Sequence, residues 1–310
     1  MVTRFVVRSC QTVEMFLAQL KSAAKPIHMR LIFLTALTMV AFASNSILTR
    51  LAVDGGHIDP SGFALIRVLS GAVVLGMVMS LRGGGVRLAG RDRLWGAVSL
   101  SVYMIGFSLA YLTLDAGLGA LILFGVVQIA MFAYSALRGA TPSRRKFAGA
   151  GIAFIGLLLA LLPGSGGGAD LGGAMLMVFA GLGWAGYTLI GRGASDPLGA
   201  TAANFILCLP ILLVLLVGTG LTYSITGTAI GILCGGLTSG LGYALWYSVL
   251  PKLEAATAAI VQLSVPIIAI LAGAAFLGEP IGLVVLISAI LVLGGIGWAI
   301  SAQSAPTDRK

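Results

Sequence analysis

The 310-residue chain is 58% hydrophobic, carries only 9% charged residues and has a mean hydropathy of +1.05. A soluble domain carries roughly a quarter charged residues, so a water-facing surface built from this composition is excluded. The net charge of +9 fits loops on the cytoplasmic side of a membrane better than a nucleic-acid partner.

The apolar residues form continuous stretches, and the short gaps between them hold nearly all the charge. Hydrocarbon leaves only helices or closed barrels as spanning structures. Stretches that do not alternate exclude the barrel. Residues 1–29 come first, with Arg4, Arg8, Lys21 and Lys25 and no apolar core of signal-peptide length. They read as a tail, as a start upstream of Met29, or as a short interfacial helix around Phe5–Leu17. Spans of roughly 20 residues each are predicted at Leu31–Leu51, Pro60–Leu81, Leu94–Leu112, Gly117–Leu137 and Phe147–Leu162. The flexible run Pro163–Gly168 is read as a linker, and five more spans follow. These are Leu171–Ile190, Ala200–Gly220, Ala229–Leu250, Ala255–Leu277 and Ile281–Ser301.

With the N-terminus inside, all but Arg50 and Arg67 of the 19 Lys and Arg residues fall on the cytoplasmic side. Arg50 is outside and Arg67 lies within the second span. This bias supports ten spans with both termini cytoplasmic, because dropping one span would reverse every later loop.

A weak duplication supports two halves. Asp59-Pro60-Ser61-Gly62 recurs as Asp196-Pro197-Leu198-Gly199, Arg50 matches Arg192, and Leu114-Asp115-Ala116 matches Leu253-Glu254-Ala255, at offsets of 137 to 142 residues. The same register sets Phe42 opposite Trp184, Asn45 opposite Tyr187 and Phe107 opposite Trp246. An odd number of spans per repeat inverts the second copy. The expected fold is therefore an all-α polytopic membrane protein of ten transmembrane helices in two inverted five-helix repeats. The tail is 1–29, the repeats are 30–162 and 171–301, the linker is 163–170 and the C-terminal tail is 302–310. Inverted repeats place a site between the halves near the midplane and supply two conformations for alternating access.

Polar groups inside spans are costly unless paired or facing a cavity. The intramembrane amides are Asn45, Gln128, Asn204 and Gln262; each is a ligand for a polar solute or glue between helices. Trp184 and Tyr187 lie one turn apart on one helix face, as do Tyr243 and Trp246. Such walls suit a ring or a cation. Tyr103, Tyr134 and Tyr247 fit an interfacial belt as well as a cavity. Arg67 lies roughly 10 Å into its helix at 1.5 Å per residue; it either draws a carboxylate or has a structural role, bound to carbonyls or snorkelling outward. No Asp or Glu falls within a predicted span and no histidine lies deep, so facilitated or weakly coupled movement is expected. Cys10, Cys208 and Cys234 lack metal or redox spacing, no phosphate loop is present, and no cofactor is expected.

Several runs point to a family. Leu263-Ser264-Val265-Pro266 followed by Phe276-Leu277-Gly278-Glu279-Pro280, together with Phe42-Ala43-Ser44-Asn45 and Leu65-Ile66-Arg67, resemble the EamA family of the drug/metabolite transporter superfamily over residues 30–301. Gly139-Ala140-Thr141-Pro142 stands where the family shows a Gly-Glu pair, which leaves Glu279 without a symmetry mate. The resemblance implies a cavity lined by spans 1, 3, 4, 6, 8 and 9, and hence by Phe42, Asn45, Tyr103, Phe107, Gln128, Trp184, Tyr187, Tyr243, Trp246 and Gln262. Arg67, Pro266 and Glu279 are assigned structural or gating roles, and Asn204, outside that cavity, a structural one.

The expected function is an alternating-access transporter in the inner membrane, exporting or facilitating amino acids or related small solutes. A multidrug or nucleoside-type carrier of the same fold is the alternative; a channel or membrane scaffold is the alternative of another class. An intramembrane enzyme would need a nucleophile–base pair, a carboxylate pair or a metal cluster in the membrane, and the spans offer none. Expected partners are a small-molecule substrate and the lipid bilayer, with no nucleic acid. A chain that carries both halves of its site needs no second copy and is expected to work as a monomer.

Overall fold

The computed structural model describes residues 26–139, 143–161, 170–215, 222–253 and 255–301. Residues 1–25 of the N-terminal tail, the run 163–168, Ala140, Glu254 and the C-terminal tail lie outside them, while residues 26–29, read as tail, begin the first helix. The described residues form helices, with one isolated bridge between Ile58 and Tyr223 as the only β pairing among them.

The first five helices are α1 (Pro26–Val53), α2 (Pro60–Leu81), α3 (Arg91–Ala110), α4 (Ala116–Leu137) and α5 (Arg144–Ala160). They are followed by α6 (Leu171–Gly191), α7 (Pro197–Leu215), α8 (Ile225–Lys252), α9 (Ala255–Gln262 and Ser264–Ala272, run on by Gly273–Leu277) and α10 (Leu283–Ser301). Among the described residues, nine of these helices are long and apolar enough to cross a membrane by length and composition. The chain is thus a multi-pass α-helical membrane protein. α5 has 17 residues and begins with Arg144, Arg145 and Lys146, so it is not among the nine. The count of ten spans is therefore not reached on this measure.

Sequence sets the helix starts. Asp59 and Asp196 are N-caps that accept from the N–H groups of Gly62 and Gly199 at 2.8 and 3.0 Å, with Pro60 and Pro197 at the first helical position. This is why the duplicated Asp-Pro-x-Gly motif begins a helix in both places. Asp170, Ser143 and Ser224 cap α6, α5 and α8 in the same manner.

Two helices depart from regular α geometry. α8 widens to a π-helix over Leu233–Leu241, and α9 ends in another over Gly273–Leu277. Such segments are frequent at functional positions. α9 is also broken at Leu263, whose N–H bonds the Ile260 carbonyl at 3.0 Å. Pro266 has no N–H for the Gln262 carbonyl and its ring crowds that group, which accounts for the break.

α3 packs on α6 and α7, α8 packs on α1 and α2, and α5 pairs with α10. Small residues set the distances. At the α5–α10 crossing a Cβ on Gly149 would lie 2.6 Å from the Gly295 carbonyl oxygen, so only glycine admits this approach.

Candidate functional site

The ends of the helices gather at two poles. Arg50, Asp115 and Glu279 mark one, and Arg192, Pro197 and Leu250 mark the other. A cavity of about 450 Å³ opens at the Arg192 pole between α4, α6, α8 and α9. Gln128, Thr188, Arg192 and Gln262 supply its polar groups, and Val127, Met131, Trp246 and Tyr247 its apolar wall. The break at Leu263 lies directly after Gln262. The Gln262 Nε2 donates to the Ala258 carbonyl over a long 3.4 Å, so this amide is only weakly held by its own helix.

Beyond Trp246 the interior is filled by rings. Phe42 of α1 meets Trp184 of α6 at a centroid distance of 6.4 Å, Tyr243 at 5.6 Å and Trp246 at 6.0 Å. Trp184 also lies 4.9 Å from Tyr103 and 5.3 Å from Tyr187 and Tyr243. Tyr103 continues to Phe107 at 5.2 Å, and Phe107 to Tyr111 at 4.8 Å. The rings enclose a void of about 20 Å³, with Asn45 and Ser46 on its wall. That volume is of the size of one water, so the aromatic cluster is a plug in this conformation.

Two polar groups sit behind the plug. The Asn45 Oδ1 accepts from the Thr238 and Ser239 hydroxyls at 2.7 and 2.9 Å and from the Cys234 thiol at 3.3 Å, while its Nδ2 donates to the Ala41 carbonyl at 3.2 Å. Asn45 thereby ties α1 to the π segment of α8. Arg67 on α2 has 0% exposure. Its Nε donates to the Ser239 hydroxyl and its Nη2 to the Tyr103 hydroxyl, both at 3.0 Å. Its Cζ lies 5.0 Å from the Phe107 ring centre and 5.4 Å from that of Tyr103.

The Arg50 pole is closed by charge. Arg50 contacts Asp54 at 3.1 Å, Asp115 at 3.6 Å and Glu279 at 3.7 Å, and donates to the Tyr111 carbonyl at 3.0 Å. Glu279 also accepts from the Ala116 N–H at 2.8 Å. Gly278, at φ +68°, turns the chain back to make that reach possible. Burial pushes the carboxyls of both Asp115 and Glu279 upward from their ordinary values, against the pull of Arg50 on each and of the Ala116 N–H on Glu279. Alongside, Asp59 accepts from the Thr222 N–H at 3.1 Å, stitching the α1–α2 loop to the start of α8.

Of the residues singled out in the sequence, Gln128, Trp246 and Gln262 line the open cavity. Phe42, Asn45, Tyr103, Phe107, Trp184 and Tyr243 surround the small void. Tyr187 packs on Trp184 and hydrogen-bonds Thr201 at 2.8 Å. Two readings need correction. Arg67 neither snorkels nor binds carbonyls, because Ser239 and Tyr103 hold it within the bundle. Tyr103 is no interfacial residue, being buried in the ring cluster, whereas Tyr134 is exposed beside Arg138. Asn204 is buried against Gly96 of α3. Sequence reasoning missed the hydroxyls of Thr238 and Ser239, the place of Arg192 on the cavity, and the meeting of Glu279, Asp115 and Asp54 around Arg50. The lone position of Arg50 on its side of the membrane was the available signal for the last of these.

Comparisons with known proteins agree with this architecture. The model of the EamA-like transporter family matches residues 171–301. An uncharacterized protein of Pseudomonas aeruginosa is 45% identical over 283 residues, covering 91% of this chain and 98% of its own. An uncharacterized transporter of Clostridium kluyveri is 28% identical over 293 residues, covering 88% and 94%. A solved crystal structure superposes with a TM-score of 0.63 over 86% of this chain and 97% of its own, at 17% identity, which shows a common fold alone. The chain is a multi-pass membrane protein that belongs to the EamA-like transporter family.

Proposed function

We propose that the protein is an alternating-access carrier of small organic metabolites, in which the cavity at the Arg192 pole is the cytoplasm-facing half of the solute path. Ten spans in two inverted repeats, with both termini cytoplasmic in the inner membrane, complete the reading. α5 serves as the tenth span; its 17 residues cover roughly 25 Å at 1.5 Å per residue, and Arg144–Lys146 snorkel to the interface.

The observation that carries the proposal is the contrast between the poles. Arg50 and Arg192 match in the duplicated register, yet Arg50 is locked among carboxylates while Arg192 lines an open cavity. One closed and one open end on equivalent helices is what a single alternating-access conformation looks like. The equivalent caps at Asp59 and Asp196, and the exchange of neighbours between α3 on α7 and α8 on α2, support the repeat. The amides of Gln128 and Gln262 beside aromatic walls suit amino acids or related solutes, and the absence of carboxylates from the predicted spans fits facilitated export or exchange.

The test is a thermal-shift screen of amino acids, amines and nucleosides on purified protein, followed by counterflow in proteoliposomes. Uptake accelerated by the same solute on the far side is expected; uptake that ignores the far side contradicts a carrier and fits a channel.

A further inference from the structure

Arg67 is a buried cation whose charge the described residues leave unbalanced. It is fully buried on α2, and no carboxylate among the described residues lies within ion-pairing distance of it. Its Nε and Nη2 are bonded to neutral hydroxyls, and its Nη1 has no hydrogen-bond partner. A guanidinium stays protonated under all physiological conditions. Isolating such an ion from water is costly, and an arginine left in a bilayer-depth interior normally finds a counter-charge. Cation–π contact with Tyr103 and Phe107 offsets only a part of this. Two neutral hydroxyls add little more.

Arg67 is not itself on the wall of the small void but lies directly behind rings that are. Tyr103 and Phe107, the rings in contact with the guanidinium, also wall the small void inside the aromatic plug. Asn45, on the same wall, shares Ser239 with Arg67. The ring chain from Trp246 through Phe42 joins this void to the open cavity. Here the void is water-sized, so a ligand reaches the guanidinium only when the rings part.

We infer that Arg67 is the anion anchor of the solute path, and that the transported solute carries a carboxylate held by this guanidinium while its apolar part packs against Trp184 and Tyr243. The planar fork of arginine fits a carboxylate with two parallel bonds, and the free Nη1 supplies a donor that is already desolvated. The inference rests on the carrier reading above and narrows its solute class.

The experiment uses full-length protein in nanodiscs and matched probes that differ only in charge: phenylacetate against phenylacetamide, and phenylalanine against phenylalaninamide. Binding is read by quenching of tryptophan fluorescence and by thermal shift, for wild type, Arg67→Gln and Arg67→Lys. Wild type is expected to prefer the carboxylate of at least one pair by about tenfold or more, the scale of a charge-assisted bond. Arg67→Gln erases that preference, while Arg67→Lys keeps its sign and reduces its size. Equal binding of acid and amide by wild type, a preference that persists in folded Arg67→Gln, or no binding of either acid overturns the inference. Should Arg67→Gln fail to fold, the wild-type pairs and Arg67→Lys still decide it. The carrier reading fails separately, when no solute of any charge shows counterflow.

Discussion

Arg50 and Glu279 meet at 3.7 Å across the pole opposite the open cavity, although 229 positions separate them along the chain. The contact brings the end of α1 to the loop that follows α9, and Asp115 at the start of α4 completes it at 3.6 Å from Arg50. Three helices from both halves of the chain are thereby held by one guanidinium.

This closure is expected to depend on pH. Burial raises the carboxyls of Asp115 and Glu279 in the closed pole, and water would return them to their ordinary values in an open one. The closed form therefore holds a proton more tightly. Its advantage is present at acidic pH and is lost as pH rises through the raised values. Spin labels on Leu112→Cys and Ile281→Cys, both exposed positions beside the cluster, report the pole directly. Acidification should enlarge the short-distance population, and Glu279→Gln should flatten the response. A larger short-distance population at alkaline pH would reverse the sign and contradict the account.

Asn45 organises the junction of α1 with α8. Asn45→Ala removes the acceptor shared by Thr238 and Ser239. Thr238 keeps the Cys234 carbonyl at 2.8 Å as a substitute, whereas Ser239 has no comparable one. The expected cost is about 1–3 kcal/mol, that of one buried unsatisfied group. Thr238→Val should cost less, since Asn45 retains Ser239. Thermal unfolding in detergent gives the order, and a larger loss for Thr238→Val would contradict it.

The α2–α8 contact has no room for a side chain at Gly235. A Cβ there would overlap the Arg67 carbonyl and the Ser70 hydroxyl. Gly235→Leu should destabilise by about 1–3 kcal/mol or more through overpacking. Gly294 has nothing within 4 Å of a Cβ, and Gly294→Ala is expected to leave the midpoint almost unchanged. Equal midpoints for the two variants would show that the close approach does not matter.

Gln262→Ala removes a polar group from the open cavity, and Trp184→Ala removes the ring at the centre of the plug. Each should lower solute uptake in proteoliposomes by roughly tenfold, the equivalent of about 1.4 kcal/mol. Unchanged uptake in both folded variants would remove these residues from the solute path.

Much of the architecture was legible in the sequence because the bilayer imposes a simple rule on each span. α2, α4 and α6 match their predicted bounds within one residue of helix for this reason. α5 was the least regular, since a span that opens with Arg144-Arg145-Lys146 falls short of the apolar length that hydropathy recognises. The rings were legible as pairs one turn apart, but not as one cluster, because helix spacing does not reveal which faces meet. The partners of Arg67 were hidden for a related reason. Tyr103 and Ser239 lie on other helices, 36 and 172 positions away, and the widening of α8 that presents Ser239 has no signature in hydropathy.

On the proposed alternating-access mechanism, solute crosses only when the Arg50 pole opens. In a background freed of native cysteines, Asp115→Cys and Glu279→Cys place two thiols around the position of Arg50, where a disulfide would clamp the pole shut. Counterflow of the solute found by the screen should stop on oxidation and return on reduction. Full counterflow with the disulfide formed would contradict alternating access through this pole.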